Sequence, residues 1–316
     1  MDSTFSMRLT TAAIDQLIAD LRQFAPVLAD RAATWMNGLS RAGRAADYFQ
    51  HPLAFPMLLL PLWVEEAVSG QINADFQAAL VYSSVSGYYF IRMIDNVMDE
   101  ASPVERSLLP MTGVFHAQAT TTYHQYFEHT HAFWTHFARW NTQSAAFAIE
   151  DSSSDDIDLA SFQRIAGKKV VAGKIPIAAV LARHDQLDRL PAWEAFYDDL
   201  GCWHQLLNDV LSWKKDLQHQ TASSSLCEGE RRKRADESLF GWLLREGFAW
   251  GLATLEHWLD NLHAQAALLE SPPLSEYLRS RGDLLAAQRT EMFASLAALS
   301  PLIRAQNTPL AEGDPT

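Results

Sequence analysis

Apolar residues recur three and four positions apart along most of the chain, the spacing that keeps one stripe of a helix against a core. Runs that alternate apolar and polar positions with β-branched residues are almost absent, so the pattern predicts helices and no sheet. Ala, Leu, Gln, Glu and Arg, all good helix formers, fill these segments. Helices are expected over roughly 9–23, 28–47, 53–69, 74–100, 107–149 (with room for a break), 158–184, 189–219, 236–268 and 274–304, with ends good to about 2–4 residues. Ser102-Pro103 should stop a helix, because the residue before proline is pushed out of the helical region. Loops are expected from Asp151 to Asp158, from Gln218 to Glu230 and at Ser271-Pro272-Pro273. No break is long enough to separate domains and no internal repeat is visible. The expectation is therefore all-α: one helical bundle over 1–316, fraying after about residue 305.

Composition narrows the class. A net charge of -13 argues against nucleic acid, whose phosphates need a basic face. The most apolar run, Leu53 to Val64, is short and interrupted by Pro56 and Pro61. A membrane span needs about 20 apolar residues, so none is expected. The N-terminus lacks a basic start followed by an apolar run, and two cysteines make no disulfide framework. Both point to a cytoplasmic setting.

Two segments carry candidate chemistry. In FIRMIDNVMDEA, residues 90–101, Asp95 and Asp99 lie four apart and share a helical face, with Glu100 further round. Ile91, Ile94 and Met98 flank them. Carboxylates beside an apolar face are costly without cations or donors, and oxygen ligands at this spacing suit magnesium. The plainer reading is a solvated acidic helix end. In NDVLSWKKD, residues 208–216, Asn208, Ser212 and Asp216 recur every four residues as one stripe of hard oxygen donors among apolar neighbours. Lys215 could reach a phosphate oxygen. The plainer reading is an exposed helix face. Two such stripes facing each other across a bundle would form a clamp for several metal ions.

These residues resemble the class I isoprenoid synthases: trans-prenyltransferases, squalene and phytoene synthases, and terpene cyclases. FIRMIDNVMDEA is similar to the first aspartate-rich motif of prenyltransferases, although Asn96 interrupts the acidic run. NDVLSWKKD is similar to the Asn-Ser-Glu metal motif of cyclases, with Asp216 in the Glu position and Lys215 at the diphosphate-binding lysine. LGCWHQLLND, residues 200–209, resembles the lead-in to the second prenyltransferase motif. AGKIPIAAVLA, residues 172–182, resembles the Gly-Lys-Thr segment, with Ile175 in place of threonine. The resemblance covers about residues 40–220. It implies a bundle of the class I terpenoid synthase type with a central active-site cavity. It further implies a prenyl diphosphate substrate, a magnesium cluster on Asp95, Asp99, Asn208, Ser212 and Asp216, and diphosphate contacts from Lys174, Lys215 and Arg164. Gly173 and Pro176 should break the helix beside that pocket. Family members are often dimers, so a homodimer is expected.

Three activities are open. FPMLLLPLWVEEA, residues 55–67, follows the position of a basic prenyltransferase motif, but His51, Leu53 and Phe55 stand where the basic residues would be, and only Arg106 follows the first acidic motif. Those basic groups hold isopentenyl diphosphate in the family. Their loss favours a terpene cyclase using one prenyl diphosphate. The acidic motif and the Gly-Lys segment favour a prenyltransferase, by chain elongation, head-to-head condensation or transfer to another acceptor. Decay of the motifs would suit a non-catalytic partner subunit. Aromatic faces that could steady a carbocation are Tyr88, Tyr89, Phe90, Phe133, Trp134, Phe137, Trp140 and Trp203, each of which also reads as ordinary core. The run Arg231-Arg232-Lys233-Arg234 reads as solvated loop charge or as a closure over diphosphate. His116, His124, His129, His131 and His136 lack the spacing of a metal site.

Overall fold

The computed structural model describes residues 3–40, 43–98, 103–151, 158–219 and 223–306. Asp99, Glu100 and most of the polar run 151–158 lie outside these residues. Fifteen α-helices and no strand occur among the described residues. They are α1 (Ser3–Phe24), α2 (Pro26–Leu39), α3 (Ala45–Phe49), α4 (Leu60–Ser69), α5 (Ala74–Met98), α6 (Pro103–Leu108), α7 (Met111–His124), α8 (Phe133–Asp151), α9 (Leu159–Lys169), α10 (Lys174–Arg183), α11 (Leu190–His219), α12 (Ser224–Arg232), α13 (Leu239–Trp242), α14 (Phe248–Leu268) and α15 (Pro272–Gln306). No described helix is long and apolar enough to cross a membrane.

Helix α5 organises the molecule because it buries several faces at once. Phe76 and Leu80 enter one core, with α4, α10, α11 and α14. Val81, Val85, Tyr89 and Met93, each four apart, enter a second core with α1, α2 and α7. A helix with apolar residues around most of its circumference is stable only between layers, and α5 lies between these two. In the first core, α11 contributes Trp193, Phe196 and Trp203, all fully buried. Each such side chain stabilises the fold by about 1.5–3 kcal/mol relative to exposure. Helices α9 and α11 meet at two glycines. A Cβ on Gly201 would lie 2.9 Å from Val170 Cγ2, and one on Gly167 would lie 2.9 Å from the Asp198 carbonyl oxygen.

The expected helix breaks at Gly173 and Pro176 appear as a 3₁₀ turn, Val171–Gly173, after which α10 starts with Pro176 in its first turn. Pro272 and Pro273 begin α15 instead of lengthening a loop, since the first turn tolerates proline. The helix expected from 53 starts only at Leu60, with Pro61 in the first turn. The expected loop from Gln218 to Glu230 is corrected more strongly: α12 occupies Ser224–Arg232. Its first turn is capped from a distance. Buried Asp209 on α11 accepts hydrogen bonds from the Ser224 amide at 3.0 Å and the Ser224 hydroxyl at 2.7 Å. The basic run beginning at Arg231 closes this helix, with Arg231 and Arg232 on Glu228 and Lys233 on Glu230.

Candidate active site

The wall-forming face of α5 carries Ser84, Gly87, Tyr88, Ile91 and Asp95, spaced three and four apart. They border a cavity of about 300 Å³. Opposite stand His116, Ala119, Thr120 and Tyr123 of α7, and Phe137 and Asn141 of α8. Tyr48, Phe49, Phe55 and Met57 close another side, and Val170, Gly173, Ile175, Pro176 and Tyr197 complete the wall. From Ser84 to Asp95 is eleven residues, about 16 Å of helix rise. The α5 wall is therefore polar-charged at the Asp95 end and largely apolar and aromatic along its length.

The aromatic wall is held by specific contacts. Tyr48 and Phe49 pack on Tyr88 with ring centroids 5.2 and 5.0 Å apart. Phe90 packs on His116 at 5.0 Å, and Tyr123 on Phe137 at 5.7 Å. Tyr197 donates to the Val170 carbonyl at 2.9 Å and meets Phe55 at 5.2 Å. A Cβ on Gly173 would fall 1.9 Å from the Tyr197 hydroxyl, so the absence of a side chain there makes room for this tyrosine. Burial pushes the Tyr88, Tyr123 and Tyr197 phenols up, which keeps them neutral. Behind Phe55, His204 is buried against Tyr277, 2.6 Å from its hydroxyl. Burial, with Arg281 nearby, lowers its pKa from 6.5 to about 3.

Asp95 reaches the cavity and is paired with Arg92, Nη1 to Oδ2, at 3.2 Å. Asn208, Ser212 and Asp216 share one face of α11, with Asn208 exposed and the other two half-buried. Ser212 donates to Asp216 Oδ2 at 2.9 Å, so these two oxygens converge. None of the three lines the cavity. Tyr197, which does, precedes Asn208 by eleven residues, three turns and about 20° round the helix. Asn208 therefore continues the wall-facing side of α11 beyond Tyr197, while Ser212 and Asp216 lie about 60° and 100° round the helix from that tyrosine. Lys215 is exposed on the same helix.

Asn96 is turned inward and donates to Glu105 at 3.3 Å, so it leaves the acidic face to Asp95. Two of the expected diphosphate contacts, Lys174 and Arg164, are not among the residues lining the cavity. The Lys174 ammonium is buried, 2.7 Å from Asp198 and 3.6 Å from Glu194. Arg164 is exposed on α9. Of the eight expected aromatic faces, Tyr88, Phe90 and Phe137 line the cavity; Tyr89, Phe133, Trp134, Trp140 and Trp203 are packed elsewhere. Tyr48, Phe49, Phe55, Tyr123, Tyr197 and Arg92 were not expected. Only Arg92 carried a signal, being three residues before Asp95 on its face.

The oxygen donors suit magnesium, which takes one or two carboxylates and fills its remaining positions with phosphate oxygens and water. Among the described residues no group of three or more His, Cys, Asp or Glu forms a ready protein cage. Asp95 at the cavity and the paired Ser212 and Asp216 oxygens fit that modest demand.

The sequence matches no protein-family model and none of the curated proteins compared with it. Among solved structures, the fold is similar to a geranylgeranyl pyrophosphate synthetase from the archaeon Geoglobus acetivorans, with a TM-score of 0.65 and 12% sequence identity. The match covers 90% of this chain and 99% of that one. At that identity the likeness carries the fold alone, which is all-α and of the isoprenoid synthase type.

Proposed function

We propose that this chain is a class I terpene synthase that ionises one prenyl diphosphate and releases diphosphate. One observation carries the reading: an apolar, aromatic cavity whose α5 wall ends in the Asp95 carboxylate, within a fold of this type. Such a shape suits an amphiphile with a greasy tail and a charged head. Asp95 would hold metal at that end, with Asn208, Ser212 and Asp216 as the second donor set and Lys215 toward a phosphate oxygen. Magnesium bound there supplies Lewis-acid stabilisation of charge on the leaving oxygens.

The remaining chemistry belongs to the chain. Tyr88, Phe90, Tyr123, Phe137 and Tyr197 present aromatic faces to the cavity, and such faces attract a cation without reacting with it. Because burial keeps the phenols of Tyr88, Tyr123 and Tyr197 protonated, these side chains place no fixed anion where it would trap a carbocation. The wall also displaces water, which would quench the cation.

A cyclase is favoured over a transferase by the cations of the cavity. Arg92 is the one arginine or lysine among the described residues that line it, which leaves little to hold a second diphosphate. The competing reading is prenyl transfer, and the named activity of the similar archaeal structure favours it. The test is to incubate the protein with magnesium and prenyl diphosphates of graded length, with and without isopentenyl diphosphate, and to identify products by mass spectrometry. A hydrocarbon or terpene alcohol from a single diphosphate is expected. A longer diphosphate, formed only with isopentenyl diphosphate, would replace this reading with chain elongation. Asp95→Ala should abolish turnover; full activity in that variant would remove Asp95 from the mechanism.

A further inference from the structure

The charged end of the cavity holds a feature that metal binding alone does not require. Arg92 lines the cavity one turn below Asp95 on α5, and its guanidinium lies 3.2 Å from the Asp95 carboxylate. Both are partly exposed, at 41% and 52% of their side-chain surface, so either can exchange its partner. One turn deeper again is Tyr88, whose ring lies 5.2 Å from that of Tyr48. Read from inside outward along α5, the wall presents a neutral phenol pair, a cation and then an anion.

That order has a consequence. A divalent ion offers a carboxylate twice the charge of a guanidinium, so metal taken up at Asp95 competes with Arg92 for it. A head group anchored at Asp95, with its tail in the cavity, passes over Arg92 first. A guanidinium is a rigid fork of donors matched to phosphate oxygens, and it cannot lose its proton. We propose that Arg92 is an exchange residue: it neutralises Asp95 before metal arrives, then moves to a phosphate oxygen once Asp95 takes the metal. This rests on the prenyl diphosphate reading above and names the residue that couples metal uptake to head-group binding.

The exchange predicts opposite effects on two ligands, which a purely structural role would not produce. Binding of magnesium alone, and of inorganic pyrophosphate at saturating magnesium, is measured by titration calorimetry on the full chain. Arg92→Gln should tighten magnesium binding about two- to fivefold, because the competing surface ion pair is gone. It should weaken pyrophosphate binding about tenfold or more, because a charge-assisted bidentate contact is lost. Arg92→Lys keeps the charge without the fork, so its magnesium affinity should stay near that of the parent while some of the pyrophosphate affinity is lost. Unchanged values in Arg92→Gln, or a weakening of both ligands together, overturns the exchange and leaves the enzyme reading standing. Failure of the unaltered protein to bind pyrophosphate with magnesium overturns both.

Discussion

Gly173→Ala isolates the contact that seats Tyr197 in the cavity wall. The backbone at Gly173 is ordinary, with φ -69° and ψ -6°, so alanine is not strained there. On that ground alone the change would stabilise by about 0.5–1 kcal/mol, by restricting the unfolded chain. The added Cβ would, however, lie 1.9 Å from the Tyr197 hydroxyl and 2.9 Å from Cζ. Tyr197 is fully buried and cannot swing into solvent. Moving it breaks its bond to the Val170 carbonyl, at about 0.5–1.5 kcal/mol, and overpacks the core, at about 1–3 kcal/mol. The net cost is about 0.5–4 kcal/mol. For a chain of this size that is a fall in Tm of about 1–6 °C. Thermal denaturation of the parent, Gly173→Ala, Tyr197→Phe and the double variant tests the cause. Removing the hydroxyl removes the closest clash, so alanine should cost about 1–2 kcal/mol less in the phenylalanine background. Additive effects, or an unchanged Tm in Gly173→Ala, would refute the assignment.

Two further outcomes follow from groups around the cavity. Lys174→Met should lower stability by about 1–3 kcal/mol, discounted from the cost of a fully buried pair because Asp198 is 40% exposed. It should leave pyrophosphate affinity unchanged; a loss of binding at unaltered stability would restore Lys174 to the site. His204 predicts a pH dependence. Its folded pKa is about 3 against 6.5 unfolded, so between these values the unfolded chain holds the extra proton. Stability therefore rises with pH through that window and falls as pH drops from 6.5 toward 3, by up to about 4–5 kcal/mol. His204→Phe removes that component. The difference between the two Tm–pH curves should be flat above about pH 7 and slope below it, and a flat difference down to pH 4 would show that His204 does not titrate this way.

The sequence made local features legible because they depend on spacing within one helix. The charged end of α5 follows from Asp95 lying one turn beyond Ile91 on an apolar stretch, and the break before Lys174 follows from Gly173 and Pro176. Helix α12 was not legible. Its Ser-rich start reads as a loop, and the group that caps it, Asp209, comes from fifteen residues upstream on another helix. The burial of Lys174 was hidden for a related reason. Its place in a Gly-Lys segment is local, but the carboxylates that hold it, Glu194 and Asp198, sit four apart on α11, and only packing brings them to it.

The aromatic residues show where periodicity stops informing. In a bundle that buries α5 on several sides, nearly every face of a helix is an inside face, so apolar character cannot separate a cavity wall from a core. Tyr88 and Tyr89 are adjacent in sequence and alike in chemistry, yet one lines the cavity and the other packs on Trp35 at 5.7 Å. The 100° between them decides their roles, and that angle has meaning only relative to α7, α8 and the segment at Phe55. Polar residues escape this ambiguity, because a charge on an inward face needs a partner. Arg92 and Asp95 stand on the same face as Tyr88 and answer each other there, and it is this pair, rather than the aromatic wall, that marks the charged end of the cavity.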